Sequence, residues 1–465
     1  MKAYIAAGLF LGDEGKGSIV DWLCGQYAPQ VDVIRYCGGP QAAHNICHAQ
    51  GLHHTFAQFG SGMLNPGVRT HISRRMVIEP GDFIREAEAL ATKGINDVMN
   101  RLTIDGECVI MTPWHTALRR IQEFYWCQTE GRGHGTCGMG VGTAVDYAKD
   151  YSDAPRARDL LDQDILAKKL RLCQKRLLLE AQPLAKEIGT SAEEIWKKAT
   201  KPCILDAVLD NWLPYCQEYT TIIKDDGQYF GELEDSGRVA VLESTQGTLL
   251  DRRIGFLPYV TNSEVAISAA RKLISGYLPT YQSKAIGIIR SYVVRHGEGP
   301  LPTAMEKIPQ SFHDDFNGPN PWQGQMRFGW LDMVLLKYSI NAGGRPDVLA
   351  LTCIDQIAPL TEILVCTSYS FSPQKGDKEK LQAFHWREMS CGEIEITGIR
   401  SENALSKLAR SQAAEILFKV KPKTWEKFSN GADLHCYLES ELGAPIGILS
   451  MGGKNSEKAQ IGNYL

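Results

Sequence analysis

Positive charge is not in surplus in this chain: 50 lysines and arginines stand against 54 aspartates and glutamates in 465 residues, a formal net charge of −4. No global basic field draws it to nucleic acid or to a membrane. There is no C-x-x-C pair among the thirteen cysteines, and the number is odd, so neither a disulfide framework nor a zinc ribbon follows. Long apolar runs are missing too. The opening MKAYIAAGLFLGDEGKGS holds one short run that charge and glycine cut off at once, with no small-residue cleavage site. A reduced, cytoplasmic setting is the expectation. Internal repeats, low-complexity tracts and Pro/Ser linkers are absent as well. What is present is an ordinary balance, 43% hydrophobic and 22% charged, with ample apolar surface for a large core.

The chain alternates strand-like and helix-like segments. Residues 3–10 are apolar and end at Gly12, as a buried parallel strand should, and Ile19, Val20 and Leu23 then fall at helical spacing. A second strand, Val31 to Tyr36, runs into the turn Cys37-Gly38-Gly39-Pro40. Asp82 is placed to cap a helix that runs to about Lys93 and stops at Gly94. A largely helical insertion is expected over about 156–217, where Thr190 or Ser191 with Glu193 or Glu194 forms a capping-box pattern. Short β-branched segments near 238–242, 285–294, 347–352, 362–367 and 445–449 alternate with helical stretches. The pattern predicts one α/β domain over 1–465: a mostly parallel central sheet, helices on both faces and helical insertions.

Two motifs carry chemistry. Gly12-Asp13-Glu14-Gly15-Lys16-Gly17 lies where the first strand meets the first helix. Glycines there let backbone N–H groups approach phosphate oxygens, the helix N-terminus adds partial positive charge, and Lys16 adds a full one. The loop resembles that of a P-loop NTPase, yet Gly17 stands where such loops carry Ser or Thr. Asp13 among phosphates needs a reason: it ligates Mg²⁺, acts as a base on substrate, or both, unless it only caps the turn. Arg35-Tyr36-Cys37-Gly38-Gly39-Pro40-Gln41-Ala42-Ala43-His44-Asn45 follows the second strand. A histidine in such a loop can donate a proton or stabilise a transferring phosphoryl group. The nearby Cys37, Cys47, His48, His53 and His54 match no common metal frame and are read as structural.

With these motifs the sequence resembles the adenylosuccinate synthetase family. GDEGKGSIVDWL and RYCGGPQAAHN are followed in order by LESTQGTLLD (242–251), PYVT (258–261), VVRHGEGPLPT (293–303), GWLD (329–332), TCID (352–355) and SMGG (450–453). The resemblance implies a C–N ligase of P-loop-NTPase-like fold. Family members phosphorylate the 6-oxygen of inosine monophosphate with GTP, and the amine of aspartate then displaces the phosphate. It implies Asp13 as base and Mg²⁺ ligand, His44 as acid, and the Ala43 carbonyl as a second magnesium ligand. The triphosphate falls to Gly12, Glu14, Gly15, Lys16, Gly17 and Asn45. Gln246 sits by the acceptor base and Thr261 near the acceptor phosphate. Asp355 reads a guanine edge, beside Cys353, with Ser450 and Gly452 on the other side. GTP is favoured over ATP, and a homodimer is expected.

The departures gather on the substrate side. The family's phosphate loop T-T-G-R-G-I-G reads Thr136-Cys137-Gly138-Met139-Gly140-Val141-Gly142 here, and no arginine occurs over Asp146 to Asp153. The loop that holds aspartate has lost its threonines and all but Arg327 of its basic set, and carries Trp322, which either stacks on a flat acceptor or fills vacated volume. Gln41 replaces an asparagine, Cys353 a lysine and Gly453 a proline. Anionic substrates need fixed arginine forks. The expectation is therefore a ligase whose small-molecule acceptor, amino-acid amine donor, or both, differ from IMP and aspartate. The ordinary enzyme and a GTP-binding regulatory protein without ligase activity stand as alternatives. Retention of both Asp13 and His44 argues against the regulatory one.

Overall fold

The computed structural model describes residues 1–48, 51–212, 223–314, 316–390, 392–402 and 404–465. Its centre is a sheet of strands β1 (Lys2–Gly8), β2 (Val31–Arg35), β3 (Arg69–Ile72), β4 (Leu102–Asp105), β5 (Ile223–Lys224), β6 (Val239–Gly247), β7 (Gln282–Arg290), β8 (Val348–Thr352), β9 (Ile446–Ser450) and β10 (Lys458–Gln460). The order across the sheet is β10-β9-β8-β7-β1-β6-β2-β3-β4-β5. All neighbours run parallel except β9 and β10.

Both faces of the sheet are covered, which is why its strands read as continuous apolar runs rather than alternating ones. On β1, Ala3, Ile5 and Ala7 enter one core with Leu242, Ala285 and Leu349. Tyr4 and Ala6 point the other way, against Ile19, Val20 and Leu23 of helix α1 (Lys16–Tyr27). A third core lies under the helices that follow β3 and β4.

Helix α2 (Pro80–Ala91) is capped by Glu79, whose carboxylate accepts the Asp82 N–H; Asp82 sits inside the first turn, not at the cap. Proline at the first helical position moves the start upstream, since Pro favours that place. Helix α3 (Pro113–Thr129) opens with a box in which Thr112 N–H donates to His115 Nδ1 at 3.0 Å; burial pushes the His115 imidazole down to about 3. Helix α4 (Val141–Asp150) follows. The 156–217 stretch contains α5 (Gln163–Ile188), α6 (Thr190–Ala199) and α7 (Cys203–Trp212), while residues 213–217 lie outside those described. On α5, Leu166, Leu170, Cys173, Leu177, Ala181 and Ala185 form one buried stripe at helical spacing. The capping box expected at Thr190 does not form: Gly189 is the cap, with no side-chain hydrogen bond, because α6 begins one residue after α5 ends.

The segment near 362–367 belongs elsewhere than expected. Ile363–Phe371 leaves the central sheet for a separate one, pairing antiparallel with Ile394–Ile399 and Lys421–Phe428. Apolar β-branched runs of this length do not say which sheet they enter.

Asp32, fully buried on β2, ties the neighbouring strands together. Its carboxylate accepts from Arg69 Nη2 at 2.7 Å, Arg238 Nε at 2.6 Å and Tyr229 OH at 2.8 Å. Removing it strands the Arg238 charge, whose side chain is only 11% exposed. Asp32→Ala should lower the unfolding free energy by about 3–5 kcal/mol in a denaturant titration; a loss within that of an ordinary surface substitution would refute the account.

Candidate active site

The loops that leave the carboxyl ends of the parallel strands lie at one edge of the sheet, where open α/β sheets bind ligands. There β1 delivers the Leu9–Gly15 loop, β2 the Cys37–His44 loop, β6 the Glu243–Gly247 run, β7 the segment to His296, β8 Cys353 and Asp355, and β9 Gly452.

The first loop is organised from within. Glu14 is buried, and its Oε1 accepts the N–H groups of Phe10 at 3.0 Å and Gly12 at 2.8 Å. Its other oxygen pairs with Lys16 Nζ at 2.8 Å. The carboxylate expected among the nucleotide contacts thus turns back under its own loop, in the space that Gly8 leaves by having no side chain. Gly247 plays the matching part on β6: a side chain there would overlap Phe10 O and Gly12 N. Asp13 is left half-buried at positive φ (55°), with no side-chain hydrogen bond among the described residues. Burial pushes its carboxyl up, against the opposing pull of Lys16 and His296, and Glu14 and Asp314 push the same way as burial.

The second loop brings His44 to the first. Its Nδ1 lies 2.5 Å from Glu243 Oε1 and 3.2 Å from Ser61 Oγ, while Nε2 is buried and unpartnered. Burial pushes the His44 imidazole down more than Glu243 raises it, so the neutral ring donates Nδ1–H to the carboxylate and keeps a lone pair on Nε2. Burial alone would raise Glu243; Arg35, His44 and Ser61 outweigh it and hold the carboxyl at about 2. Arg35 is itself fixed by the carbonyls of Phe59 at 3.0 Å and Ala42 at 3.2 Å. Gly17 now has a reason. A Cβ there would sit 2.6 Å from His44 Cβ and 3.0 Å from Ser61 Oγ, so the Ser or Thr of other phosphate loops does not fit beside this histidine.

Three further groups join this centre. His296 Nε2 is buried with no hydrogen bond among the described residues, and His296 acts electrostatically on Asp13. Gln41 has a buried Oε1 without a partner, and Gln246 Oε1 accepts from Thr245 Oγ1 at 3.0 Å. Asn45 faces outward, accepting from Thr55 Oγ1 at 2.6 Å and lying 3.2 Å from His53 Nε2. Ala43 is exposed on the loop. Glu243, Ser61 and His296 were not singled out from sequence, although Glu243 and His296 fall inside quoted motifs; their partners lie far away in the chain.

The residues expected to read a guanine base gather at β8 and β9. Thr352 Oγ1 donates to Glu14 O at 2.8 Å, joining this side to the phosphate loop, and Cys353 follows at positive φ (58°). Asp355 is exposed in the short helix Ile354–Ile357. Ser450 Oγ donates to Gly452 O at 3.1 Å, and Lys458 Nζ to the same carbonyl at 2.9 Å.

The acceptor side is built differently from an open set of arginine forks. Arg327 spends its guanidinium on the carbonyls of Gly297 at 2.7 Å and Gly299 at 2.9 Å. Its strand neighbour Arg295 binds Glu298 O and Pro300 O, and burial, then Arg327, push it down to about 9. Trp322 lies against the Cα of Gly138, edge-on to Phe124 (centroids 5.4 Å apart) and under Arg120 at 5.3 Å. Cys137 is half-buried in the same loop, and burial pushes its thiol up. Thr261 is held by its N–H to Leu250 O at 2.8 Å, and its neighbour Asn262 reaches Gly142 O at 3.0 Å.

The depressed Glu243 carboxyl has a consequence for stability. Its contribution is fully present above the usual 4.5 and is lost as pH falls toward about 2. The stability gap between wild type and Glu243→Gln should therefore shrink by roughly 3 kcal/mol across that window. Denaturant unfolding at stepped pH measures it, and a gap that stays constant would rule out the depressed Glu243 carboxyl.

Comparison with known proteins agrees with this geometry. A family model for adenylosuccinate synthetase matches residues 5–457. Adenylosuccinate synthetase of Salinibacter ruber is 28% identical over 475 residues, covering 98% of each chain. That of Thermobifida fusca is 32% identical over 386 residues, 81% of this chain and 83% of its own. Among solved structures, fully ligated adenylosuccinate synthetase from Plasmodium falciparum matches with a TM-score of 0.78 at 20% identity, covering 99% of this chain and 100% of that one. Cyanophage S-2L succinoaminodeoxyadenylate synthetase matches at 0.54 and 15%, covering 100% and 96%. The two structures speak to the fold, a mixed α/β one around a mostly parallel sheet. No helix among the described residues is long and apolar enough to cross a membrane. With a family model spanning nearly its whole length, this chain belongs to the adenylosuccinate synthetase family, ligases that form a C–N bond coupled to nucleoside triphosphate hydrolysis.

Proposed function

We propose that this ligase uses GTP to phosphorylate a carbonyl oxygen of a purine-type acceptor, then joins an amino-acid amine at that carbon, with an acceptor or amine other than IMP and aspartate. The observation that carries the chemistry is the Glu243–His44 couple, whose unpartnered Nε2 is aimed beside the phosphate loop. A binder of nucleotide alone needs no oriented imidazole. What supports altered substrates is the acceptor side: Met139 and Cys137 in the phosphate loop, Arg327 committed to carbonyls, and Trp322 packed over Gly138. The cyanophage enzyme, described as bound to dGMP with dATP as an energy donor, indicates that this fold accommodates other nucleotides in both roles.

In this reading Asp13, its carboxyl pushed up by burial, takes the proton from the acceptor's ring nitrogen as its oxygen attacks the terminal phosphate. An anionic phosphate beside His44 raises its affinity for a proton, so Nε2–H then donates to the transferring group while Glu243 holds the ring in place. Lys16 and the loop N–H groups hold the phosphates. Gln246 and Gln41 face the acceptor, and Thr261 its phosphate. Asp355, with Cys353, Ser450 and Gly452, selects guanine by accepting two N–H groups.

The residues also fit a magnesium ion. No group of three or more His, Cys, Asp or Glu side chains that could hold a metal occurs among the described residues, and Mg²⁺ in such sites is bound by one or two carboxylates together with substrate phosphates. Asp13 and the Ala43 carbonyl would hold it, where it would offset charge on the transferring phosphoryl group.

The test is phosphate release from GTP, and separately ATP, with a panel of acceptors (IMP, GMP, their deoxy forms, nucleosides) and amino acids, products being read by mass spectrometry. Release should require both co-substrates and give a C–N adduct. Asp13→Ala and His44→Ala should each lower the rate by about 10²–10⁴-fold. Efficient turnover of IMP with aspartate would return the chain to the ordinary reaction; tight GTP binding with no productive pair would make it a regulator.

A further inference from the structure

The Thr136–Gly142 loop lacks an arginine, yet the structure brings one to it from another element. Arg119, on the α3 face that also carries Glu123 and Trp126, sits against this loop and the start of α4. Its Nε donates to Thr143 Oγ1 at 3.1 Å, and its guanidinium lies over the Trp126 ring at 5.3 Å. A side chain placed on Gly142 would meet Arg119 Nη2 at 3.1 Å and Asn262 Nδ2 at 3.0 Å. Asn262 spends both hydrogens on Gly142 O and Asp146, which leaves Arg119 as the donor facing this stretch of bare backbone.

Glu123, Asp146 and Glu180 act on the charge of Arg119 from a distance, without closing on it. Arg119 makes no ion pair with a carboxylate of the described residues, and its terminal nitrogens have no hydrogen bond among them. Two of these carboxylates are committed elsewhere, and Glu180 is exposed on α5 and makes no ion pair with Arg119. Glu123 accepts His134 N–H at 3.1 Å and Thr136 Oγ1 at 2.6 Å. Asp146 is held by Lys149 at 2.7 Å and Asn262 at 2.9 Å. Burial pushes the guanidinium down, against the opposing pull of Glu123 and Asp146. Met139, meanwhile, is folded into an apolar cluster with Val141 and Ala144 and offers nothing to an anion. Arg120, next along α3, fixes the same loop by donating to Gly138 O at 3.1 Å.

A partly buried arginine left unpaired is costly unless a ligand completes it. We propose that Arg119 is the anion-binding residue of the acceptor side, pairing through its two terminal nitrogens with the monophosphate of a nucleotide acceptor seated at the Cys137–Gly142 loop. This rests on the ligase reading above for the acceptor's class. The positive charge of this subsite then comes from helix α3, not from the glycine-rich loop, and the loop supplies shape and backbone N–H groups.

The experiment compares equilibrium binding of GMP and IMP with that of guanosine and inosine, for wild type, Arg119→Gln and Arg119→Lys. In Arg119→Gln the monophosphates should bind roughly 10- to 100-fold more weakly, the loss of one charged hydrogen-bonded pair. The nucleosides and GTP should bind as to wild type, GTP binding also reporting that the variant is folded. Arg119→Lys, which keeps the charge without the fork, should fall between. In turnover the loss should appear in KM for the acceptor, with kcat retained. The proposal is overturned if monophosphate and nucleoside are weakened alike, if Arg119→Gln binds monophosphate as wild type does, or if wild type prefers neither monophosphate over its nucleoside. The ligase reading fails separately, by absence of co-substrate-dependent phosphate release, and the binding comparison does not depend on that.

Discussion

A carboxylate placed under a phosphate loop is the constraint on which the site rests. Glu14 gathers two backbone N–H groups and the Lys16 ammonium into the space beside Gly8, and so sets the path of the loop without using any ligand to do it. A loop held this close to the sheet requires β6 to pass it without a side chain at Gly247. Four residues earlier on the same strand comes Glu243, which therefore arrives at a fixed distance from the helix that begins at Lys16. His44 meets Glu243 there, with Ser61 as second donor to the carboxylate. The position of the imidazole follows from backbone contacts two strands away.

The second buried ionic system has a different character. Asp32 holds strands together at the opposite end of β2 from Arg35, with Arg69, Arg238 and Tyr229 around one carboxylate. It touches none of the proposed ligand contacts. Arg35, at the end of the strand, is bound by carbonyls of the segment leading to His44 and lends its charge to Glu243. One short strand thus carries a structural carboxylate at its start and an electrostatic support for the site at its finish.

Local patterns carried much of this. The strand–glycine loop–helix unit at the start of the chain is legible because β1 is a short apolar run, and the loop's glycines and lysine are contiguous. His44 gained meaning from its neighbours in sequence. Glu243 did not, because its contact with His44 spans 199 positions and no local spacing encodes it. Arg119 was invisible for a related reason: in sequence it is one of two adjacent arginines on an amphipathic helix, and only the packing of α3 against the Thr136–Gly142 loop separates it from a solvated charge. The strand at Ile363–Phe371 was recognisable as a strand, but its sheet is decided by partners that follow it by more than twenty residues in the chain. The packing of Trp322 on Gly138 and Phe124 likewise joins residues about 180 to 200 positions apart, which no local pattern encodes.

The close approach of Gly17 to His44 makes two catalytic strategies mutually exclusive. A phosphate loop with a hydroxyl after its lysine can ligate a metal ion through that oxygen; here the room for a side chain is taken by the imidazole and by Ser61. Restoring the hydroxyl would require His44 to move off Glu243, and moving His44 would abandon the oriented acid. The missing side chain at position 17 is therefore what leaves the imidazole room to stand on Glu243.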